Sequence, residues 1–335
     1  MLLDFARKTY TRIIALLCVT MLLLWLKQLL LGDVTPVSND EVAMPFTNLL
    51  KTLISTPLLE AIYVVVITLI SAALLIGIVL KHDILRGHDY LAALIFILFS
   101  LSLPSQKQIC GAHLAVFFCL LSFNRLLLIY NRTGKSGNIY LSTLFIGIAG
   151  LFYPPALLFL SIFLLGTTLL KVFNWRDFFL AIFGTITPFI FAASYYHLLD
   201  KDLMQPIDTI LFYFTPGTPF FMNMKEFSLP DFNVGYIYAG YIILLTLIST
   251  ISNVRGISSN IKTSRILGIL RLAIGILLVA AVVFPAMQTS SMLVLIGLPA
   301  SILITCYLAG IRRVKIANIQ LILLIASCLL LQFYF

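Results

Sequence analysis

Residues 58–80 read LLEAIYVVVITLISAALLIGIVL, and Glu60 is their only charged residue. A helix needs about 20 apolar residues to cross the hydrocarbon core of a bilayer. A membrane-spanning β-strand would instead alternate apolar and polar residues, and this run does not alternate. The stretch therefore predicts a membrane-spanning α-helix.

The rest of the chain has the same character. Of its 335 residues, 61% are hydrophobic and 10% are charged, whereas soluble domains carry about 25% charged residues. The mean hydropathy is +1.08. This composition excludes a disordered chain, a coiled coil and a disulfide-stapled secreted domain. It predicts an all-α, polytopic membrane protein whose single transmembrane domain covers residues 1–335.

Apolar runs of suitable length recur along the whole sequence and predict about eleven spans. The first follows Arg7, Lys8 and Arg12 and lacks a small-residue cleavage site, so we expect an uncleaved span rather than a signal peptide. Runs 90–104, 139–152 and 155–170 are short, which leaves counts of nine or ten open. The predicted spans are 13–31, 58–80, 90–104, 112–130, 139–152, 155–170, 177–198, 234–253, 266–287, 291–309 and 316–335.

The distribution of Lys and Arg predicts the orientation of these spans. Fifteen of the 22 basic residues fall in one set of alternating loops and four in the other. Basic residues concentrate in cytoplasmic loops, so the sequence predicts a cytoplasmic N-terminus. The net charge of +9 is explained by these short loops, and no basic run resembles a nucleic-acid-binding patch. The five cysteines have no CxxC spacing, so we expect no metal or redox site formed by them.

Two predicted outer loops are longer than a turn. In loop 32–57, Asp40 and Glu41 fit the first turn of a short helix, and the apolar residues of Phe46–Ile54 recur at helical spacing. This pattern predicts a helix on the membrane surface. Loop 200–233 also contains a helical pattern before the turn at 215–219. It either covers the opening of a cavity or serves as a packed connector.

Ionisable residues near the ends of spans are candidates for function. Glu60, His113 and His197 lie near predicted outer ends, where the alternative interpretation is interfacial hydrogen bonding. No acidic residue lies deep in a span, which argues against an ion-coupled pump or a proton relay. The sequence also lacks a P-loop, a dinucleotide-binding glycine motif, HExxH and a nucleophile elbow.

The order of spans and loops resembles that of polytopic lipid-linked-sugar glycosyltransferases with the GT-C fold. An outer loop with an acidic pair follows span one, further spans follow on short connections, and a second long outer loop follows span seven. The middle region, 91–199, contains SFNRLLLIYNRTGKSGNIYLSTLFIGIAGLFYPPALLFL (122–160) and the turn NWRD (174–177). The chain also looks like an uncharacterised family of inner-membrane proteins from Bacteroidota.

The GT-C resemblance implies a polyprenyl-phosphate sugar as donor and catalysis on the outer face. An acidic residue of the first outer loop would act as general base or as ligand of a divalent cation, and the matching positions here are Asp40 and Glu41. Their alternative role is to favour the start of a helix electrostatically. Cations near the outer surface would hold the donor phosphate. The candidates for that role are Lys27, Lys51, Lys107, His113, Lys201 and Lys225.

Three functions therefore stay open at the level of sequence. The first is a GT-C-like transferase of the bacterial inner (cytoplasmic) membrane. The second is a non-catalytic scaffold or accessory subunit that binds partner proteins during envelope assembly. The third is a transporter of lipid or polysaccharide, which the scarcity of charge in the spans disfavours. In each case, the expected partners are membrane lipids and envelope proteins, and we expect no nucleic acid.

Overall fold

The computed structural model describes Thr20, Trp25 and residues 44–54, 56–85, 89–130, 135–200, 204–216, 234–255, 261–311 and 314–334. Most of the predicted first span and of loop 200–233, and half of loop 32–57, therefore lie outside the described residues. So do five predicted site residues: Lys27, Asp40, Glu41, Lys201 and Lys225.

The described residues form twelve α-helices and three short 3-10 turns, with no strand among them. An α-helix lies in each predicted span from 58–80 onward, and the runs 90–104, 155–170 and 266–287 also include residues of a 3-10 turn. Two further helices, α1 and α8, lie where amphipathic patterns occur in the loops. The α-helices are α1 Pro45–Leu53, α2 Pro57–His82, α3 Asp89–Ser100, α4 Gly111–Ile129, α5 Lys135–Phe152, α6 Leu158–Leu169, α7 Trp175–Leu198, α8 Met204–Phe214, α9 Val234–Arg255, α10 Ile261–Val283, α11 Ser290–Gly310 and α12 Val314–Tyr334. The 3-10 turns are Pro104–Lys107, Pro154–Leu157 and Pro285–Met287.

Within the described part of the chain, five helices are long and apolar enough to cross a membrane: α2, α4, α7, α10 and α11. Their outward side chains are apolar as well. Phe191 on α7 is 71% exposed and Val279 on α10 is 62% exposed. Apolar side chains exposed around several helices at once are stable in lipid and unstable in water. The chain is therefore a multi-pass membrane protein.

Helix α11 forms the centre of the bundle. It packs against α3, α4, α9 and α10, and most of its residues are buried. Helix α3 is buried along its whole length from Leu91 to Ser100. This burial explains why α3 is short. The irregular backbone that follows α3 is enclosed by protein. Its N–H and C=O groups are therefore shielded from lipid without a longer helix.

Contacts near the ends of the helices define the two ends of the bundle. At one, which we call the Lys107 end, Tyr153 bonds Thr289 at 3.0 Å between hydroxyl oxygens, and Phe214 packs edge-on against Phe284. At the other, which we call the Asp177 end, Lys135 pairs with Asp177 at 2.5 Å. Arg265, near the start of α10, donates to the carbonyl oxygen of Leu170 at 3.3 Å and lies 5.8 Å from the centre of the Tyr130 ring, so three basic segments meet at the Asp177 end. The basic-residue bias predicts that this end is cytoplasmic, and that orientation stays a prediction.

Helices α5 and α7 approach closely through small residues. A Cβ atom added to Gly147 would lie 2.4 Å from the carbonyl oxygen of Thr185, and one added to Gly184 would lie 2.2 Å from Oγ1 of Thr143. Small residues allow membrane helices to pack with their backbones close together. This pair of helices positions the tip of α5, which forms part of the site described below.

Candidate functional site

The connection between α3 and α4 forms a buried polar cluster at the Lys107 end. Pro104 cannot donate a backbone hydrogen bond and follows the end of α3, so the chain turns here instead of continuing as a helix. The turn places Gln106 in the interior, where its side chain is 0% exposed. A buried amide needs hydrogen-bond partners on both its oxygen and its nitrogen, and the surroundings of Gln106 supply them.

Gln106 joins the turn to the start of α11. Its Oε1 accepts from the backbone N–H of Leu103 at 3.1 Å and from the hydroxyl of Ser102 at 3.3 Å. Its Nε2 donates to the carbonyl oxygen of Ser290 at 2.9 Å. The hydroxyl of Ser105 donates to that of Ser290 at 2.8 Å. These bonds fix the turn against the central helix.

Two of the predicted phosphate-binding residues lie here, Lys107 at the end of the turn and His113 in the first turn of α4. His113 is 2% exposed, and its Nε2 donates to the carbonyl oxygen of Gln106 at 2.8 Å. Lys107 is 5% exposed, and its Nζ lies 5.7 Å from the centre of the Trp25 ring. A cation over an indole face is stabilised by the charge distribution of the ring. The turn thus places a lysine and a histidine in one buried, polar region.

The carbonyl oxygen of Phe152, at the tip of α5, connects this region to α1. It accepts a hydrogen bond from the hydroxyl of Thr47 on α1 at 2.9 Å. A Cβ atom added to Gly111 would lie 2.1 Å from the same oxygen. Glycine is therefore required at the first residue of α4, four positions after Lys107, so that α1, α4 and α5 can meet.

Two apolar grooves open beside this junction, with volumes of about 350 and 420 Å³. Phe46, Leu151 and Ala192 line both grooves. The first lies between α1, α5, α7 and α8, and the second follows α5 and α7 further along the bundle. Pro188 interrupts the hydrogen-bond ladder of α7 and lines the second groove. Grooves of this size and polarity suit a hydrocarbon chain.

The other predicted site residues that the structure describes do not join the Lys107 cluster through a described hydrogen bond or ion pair. Lys51 lies in the last turn of α1 and is half-buried, and Glu60 lies in the first turn of α2. His197 is exposed in the last turn of α7. Their helix positions put all three at the Lys107 end. Their roles stay predictions.

Sequence reasoning missed the residues that hold the cluster together, namely Gln106, Ser102, Ser105 and Ser290. Two stretches, PSQKQ at 104–108 and QTSS at 288–291, interrupt an otherwise apolar sequence with small and polar residues. That interruption is the available signal. It could not reveal that the two stretches bind each other, because they are about 180 residues apart.

Among the residues that the structure describes, no group of three or more His, Cys, Asp and Glu side chains is arranged to hold a metal ion. The acidic pair Asp40 and Glu41, which the resemblance implies as ligands of a divalent cation, lies outside the described residues.

We expect Gln106→Leu to destabilise the protein by about 2–4 kcal/mol, because it removes the buried amide that bonds the Leu103 N–H, the Ser102 hydroxyl and the Ser290 carbonyl oxygen. The midpoint of thermal unfolding in detergent measures the effect. The matched control is Gln288→Leu at the same end, since Gln288 is exposed and donates one bond, to Ala281. Equal midpoints for the two variants would contradict a structural role for the Gln106 network.

Comparison with families of known sequence gives one match over most of the chain. The family of unknown function DUF6427 matches residues 47–335. No curated protein matches the chain, and no solved structure matches it either. The match begins within α1, just after Phe46, and includes Gln106, Lys107 and His113, the other helices that line the grooves, and the bundle that supports them. The chain belongs to the DUF6427 family.

Proposed function

We propose that this protein is a GT-C-like glycosyltransferase of the bacterial inner membrane, with eleven spans and a cytoplasmic N-terminus. It would transfer a sugar from a polyprenyl-phosphate donor at the outer face. The observation that carries the proposal is the pair of apolar grooves at the same end of the bundle as the buried side chains of Lys107 and His113. A lipid-linked sugar has both a long hydrocarbon chain and a phosphate, and this end of the bundle offers surfaces suited to each.

Helix α1 links the two kinds of surface. Phe46 lines both grooves, and Lys51 lies five residues later, which is about 7.5 Å along the helix axis. If an isoprenoid chain occupied the grooves, its phosphate would lie near Lys51 at the surface. Lys27, Lys201 and Lys225 are further candidates for contact with the phosphate. Charge-assisted hydrogen bonds from lysine to phosphate oxygens would then fix the position of the donor.

The transfer step requires a base and a stabilised leaving group. Asp40 or Glu41 would take the proton from an acceptor hydroxyl as its oxygen bonds to the anomeric carbon of the sugar. The bond between that carbon and the phosphate oxygen breaks at the same time, and its electron pair leaves with the polyprenyl phosphate. The lysines would stabilise the negative charge that develops on the phosphate.

Filling the grooves tests the lipid part of the proposal. Ala192 lines both grooves, so we expect Ala192→Trp to occupy space that the lipid chain needs. Native mass spectrometry of the purified full chain with added undecaprenyl phosphate measures retention of the lipid. We expect Ala192→Trp to reduce that retention about tenfold or more, the equivalent of losing about 1.4 kcal/mol of binding.

Ser194→Trp is the matched control, because Ser194 is a small, exposed residue on the same helix and lines neither groove. We expect it to retain the lipid as the wild type does. Phosphatidic acid serves as a second probe, with the same phosphate chemistry and shorter chains. Unchanged retention of undecaprenyl phosphate by Ala192→Trp would contradict binding of the lipid chain in these grooves.

A further inference from the structure

The loop between α6 and α7 presents aromatic and basic side chains side by side at the Asp177 end. It reads KVFNWR at 171–176, and Trp175 is 70% exposed. Phe173, Lys171 and Arg176 are exposed as well. The ring of Trp175 packs edge-on against that of Phe173, with 6.1 Å between their centroids. The indole is therefore held in place although most of its surface stays uncovered.

The backbone of Lys171 has a conformation that favours glycine. Its φ is 56°, and it is the left-handed residue that ends α6. The N–H of Lys171 donates to the carbonyl oxygen of Thr168 at 2.9 Å, and that of Val172 donates to the carbonyl oxygen of Thr167 at 3.1 Å. Glycine adopts this conformation at a lower cost than lysine. A lysine at such a position points to a role for its side chain.

The cations of this loop have no acidic partner in the part of the chain that the structure describes. No ion pair there includes Lys171 or Arg176, and the adjacent Asp177 is already paired with a lysine of α5. Arg265 on α10 adds a third cation, because it donates to the carbonyl oxygen of Leu170 at 3.3 Å. This region therefore has an excess of positive charge. We call it the Trp175 surface, and it consists of Lys171, Phe173, Trp175, Arg176 and Arg265.

Helix α7 places the Trp175 surface at the depth of the lipid headgroups. The helix has 24 residues, which is about 36 Å of length, and the hydrocarbon core is about 30 Å thick. Phe179 and Phe183 are exposed on the same face as Trp175, one and two turns further along. This apolar face continues into the hydrocarbon, so the loop lies where hydrocarbon meets headgroups. Tryptophan side chains are enriched at that depth.

We propose that the Trp175 surface binds the headgroups of anionic phospholipids. The indole lies among the uppermost parts of the acyl chains, and the three cations attract the negative charge of the headgroups above it. Each lysine or arginine near an anionic membrane surface adds to this attraction. The contact holds α7 at a fixed depth in the bilayer. It lies at the opposite end of the bundle from the junction of α1 and α5, and it does not rest on the proposed transferase activity.

The chain contains its own reporter for this contact, because Trp25 and Trp175 are its two tryptophans. The background variant Trp25→Phe leaves Trp175 as the source of tryptophan fluorescence. The full chain is placed in vesicles of phosphatidylcholine that contain equal amounts of brominated phosphatidylglycerol or brominated phosphatidylcholine. Bromine quenches tryptophan at short range, so quenching reports which lipid lies beside Trp175. We expect about a fivefold preference for phosphatidylglycerol.

The double variant Lys171→Gly/Arg176→Gln removes two cations and keeps the reporter. We expect the preference to fall to about one. Lys315→Gln is the matched control, since Lys315 is an exposed lysine in the first turn of α12, at the same end of the bundle. It should keep the preference. Lys171→Gly alone should leave the midpoint of thermal unfolding unchanged or raise it by up to about 2 °C, because glycine suits this backbone. Loss of the preference would then not result from unfolding.

Two results would overturn the proposal. One is equal quenching by the two brominated lipids in the Trp25→Phe background. The other is a preference that persists in the double variant, because the cations would then not be its cause.

If Trp25→Phe does not fold, the midpoint of thermal unfolding of the unsubstituted chain replaces the fluorescence measurement. It is compared in nanodiscs of phosphatidylcholine with and without phosphatidylglycerol. We expect phosphatidylglycerol to raise the midpoint by about 2–4 °C, and an unchanged midpoint would contradict the proposal. None of these results bears on the grooves or on sugar transfer, since the tests contain no polyprenyl phosphate.

Discussion

Gly184→Ala is expected to lower the midpoint of thermal unfolding by about 3–6 °C, which corresponds to about 2–4 kcal/mol. The new methyl group would lie 2.2 Å from Oγ1 of Thr143 and 2.8 Å from the carbonyl oxygen of Tyr140. Because the second of these is a backbone atom, α5 and α7 must move apart. Gly147→Ala should have an effect of similar size, since its methyl group would lie 2.4 Å from the carbonyl oxygen of Thr185.

The chain contains a matched control for these substitutions. Gly77 on α2 and Gly275 on α10 have nothing within 4 Å of an added Cβ atom. We expect Gly77→Ala and Gly275→Ala to be neutral or slightly stabilising, because alanine has the higher helix propensity. Adding Thr143→Ala to Gly184→Ala removes the closest contact and should restore part of the lost stability. Equal midpoints for all four single variants would show that the close approach of α5 and α7 is unimportant.

Asp40→Asn and Glu41→Gln are expected to separate the proposed transferase from an accessory protein. If one of these carboxylates is the base, its amide variant should reduce sugar transfer by about 10²–10⁴-fold, because an amide cannot accept the proton. The measurement is the profile of surface glycans and polyprenyl-linked sugars by mass spectrometry in a deletion strain. The strain is complemented with the wild type or a variant at matched expression.

Asp83→Asn is the control for this experiment, because it removes a carboxylate at the opposite end of the bundle, where Asp83 is exposed. We expect it to restore the wild-type profile. If Asp40→Asn and Glu41→Gln also restore that profile, the acidic pair only favours the start of a helix. The deletion phenotype would then belong to a non-catalytic scaffold or accessory subunit in envelope assembly.

The described helices agree with the sequence where apolar length alone decides the structure. The runs 58–80 and 291–309 became α2 and α11, because about 20 apolar residues are stable in a bilayer only as a helix. The helices α1 and α8 also follow amphipathic spacing in the loops. The sequence could not show which face of α1 is buried. There, Thr47 is buried by its bond to the carbonyl oxygen of Phe152, and Leu53 is exposed.

Part of the candidate site could also be anticipated. The sequence indicates Lys107 and His113 as separate candidates on the outer face, because the GT-C resemblance implies cations there that hold the donor phosphate. Their common burial could not be predicted. It results from Gln106, whose amide satisfies three partners from two distant segments. The apolar grooves were equally hidden, since Phe46, Leu151 and Ala192 are ordinary apolar residues in the sequence.

The sequence by itself determined that this is an all-helical, multi-pass membrane protein, because hydropathy and length are properties of each segment alone. Tertiary structure decided which segments meet. It joined the carbonyl oxygen of Phe152 to Thr47 and paired Lys135 with Asp177. In a bilayer, lipid solvates every apolar helix face about equally well, so hydropathy cannot select partners. Close packing of small residues and a few buried hydrogen bonds make that selection.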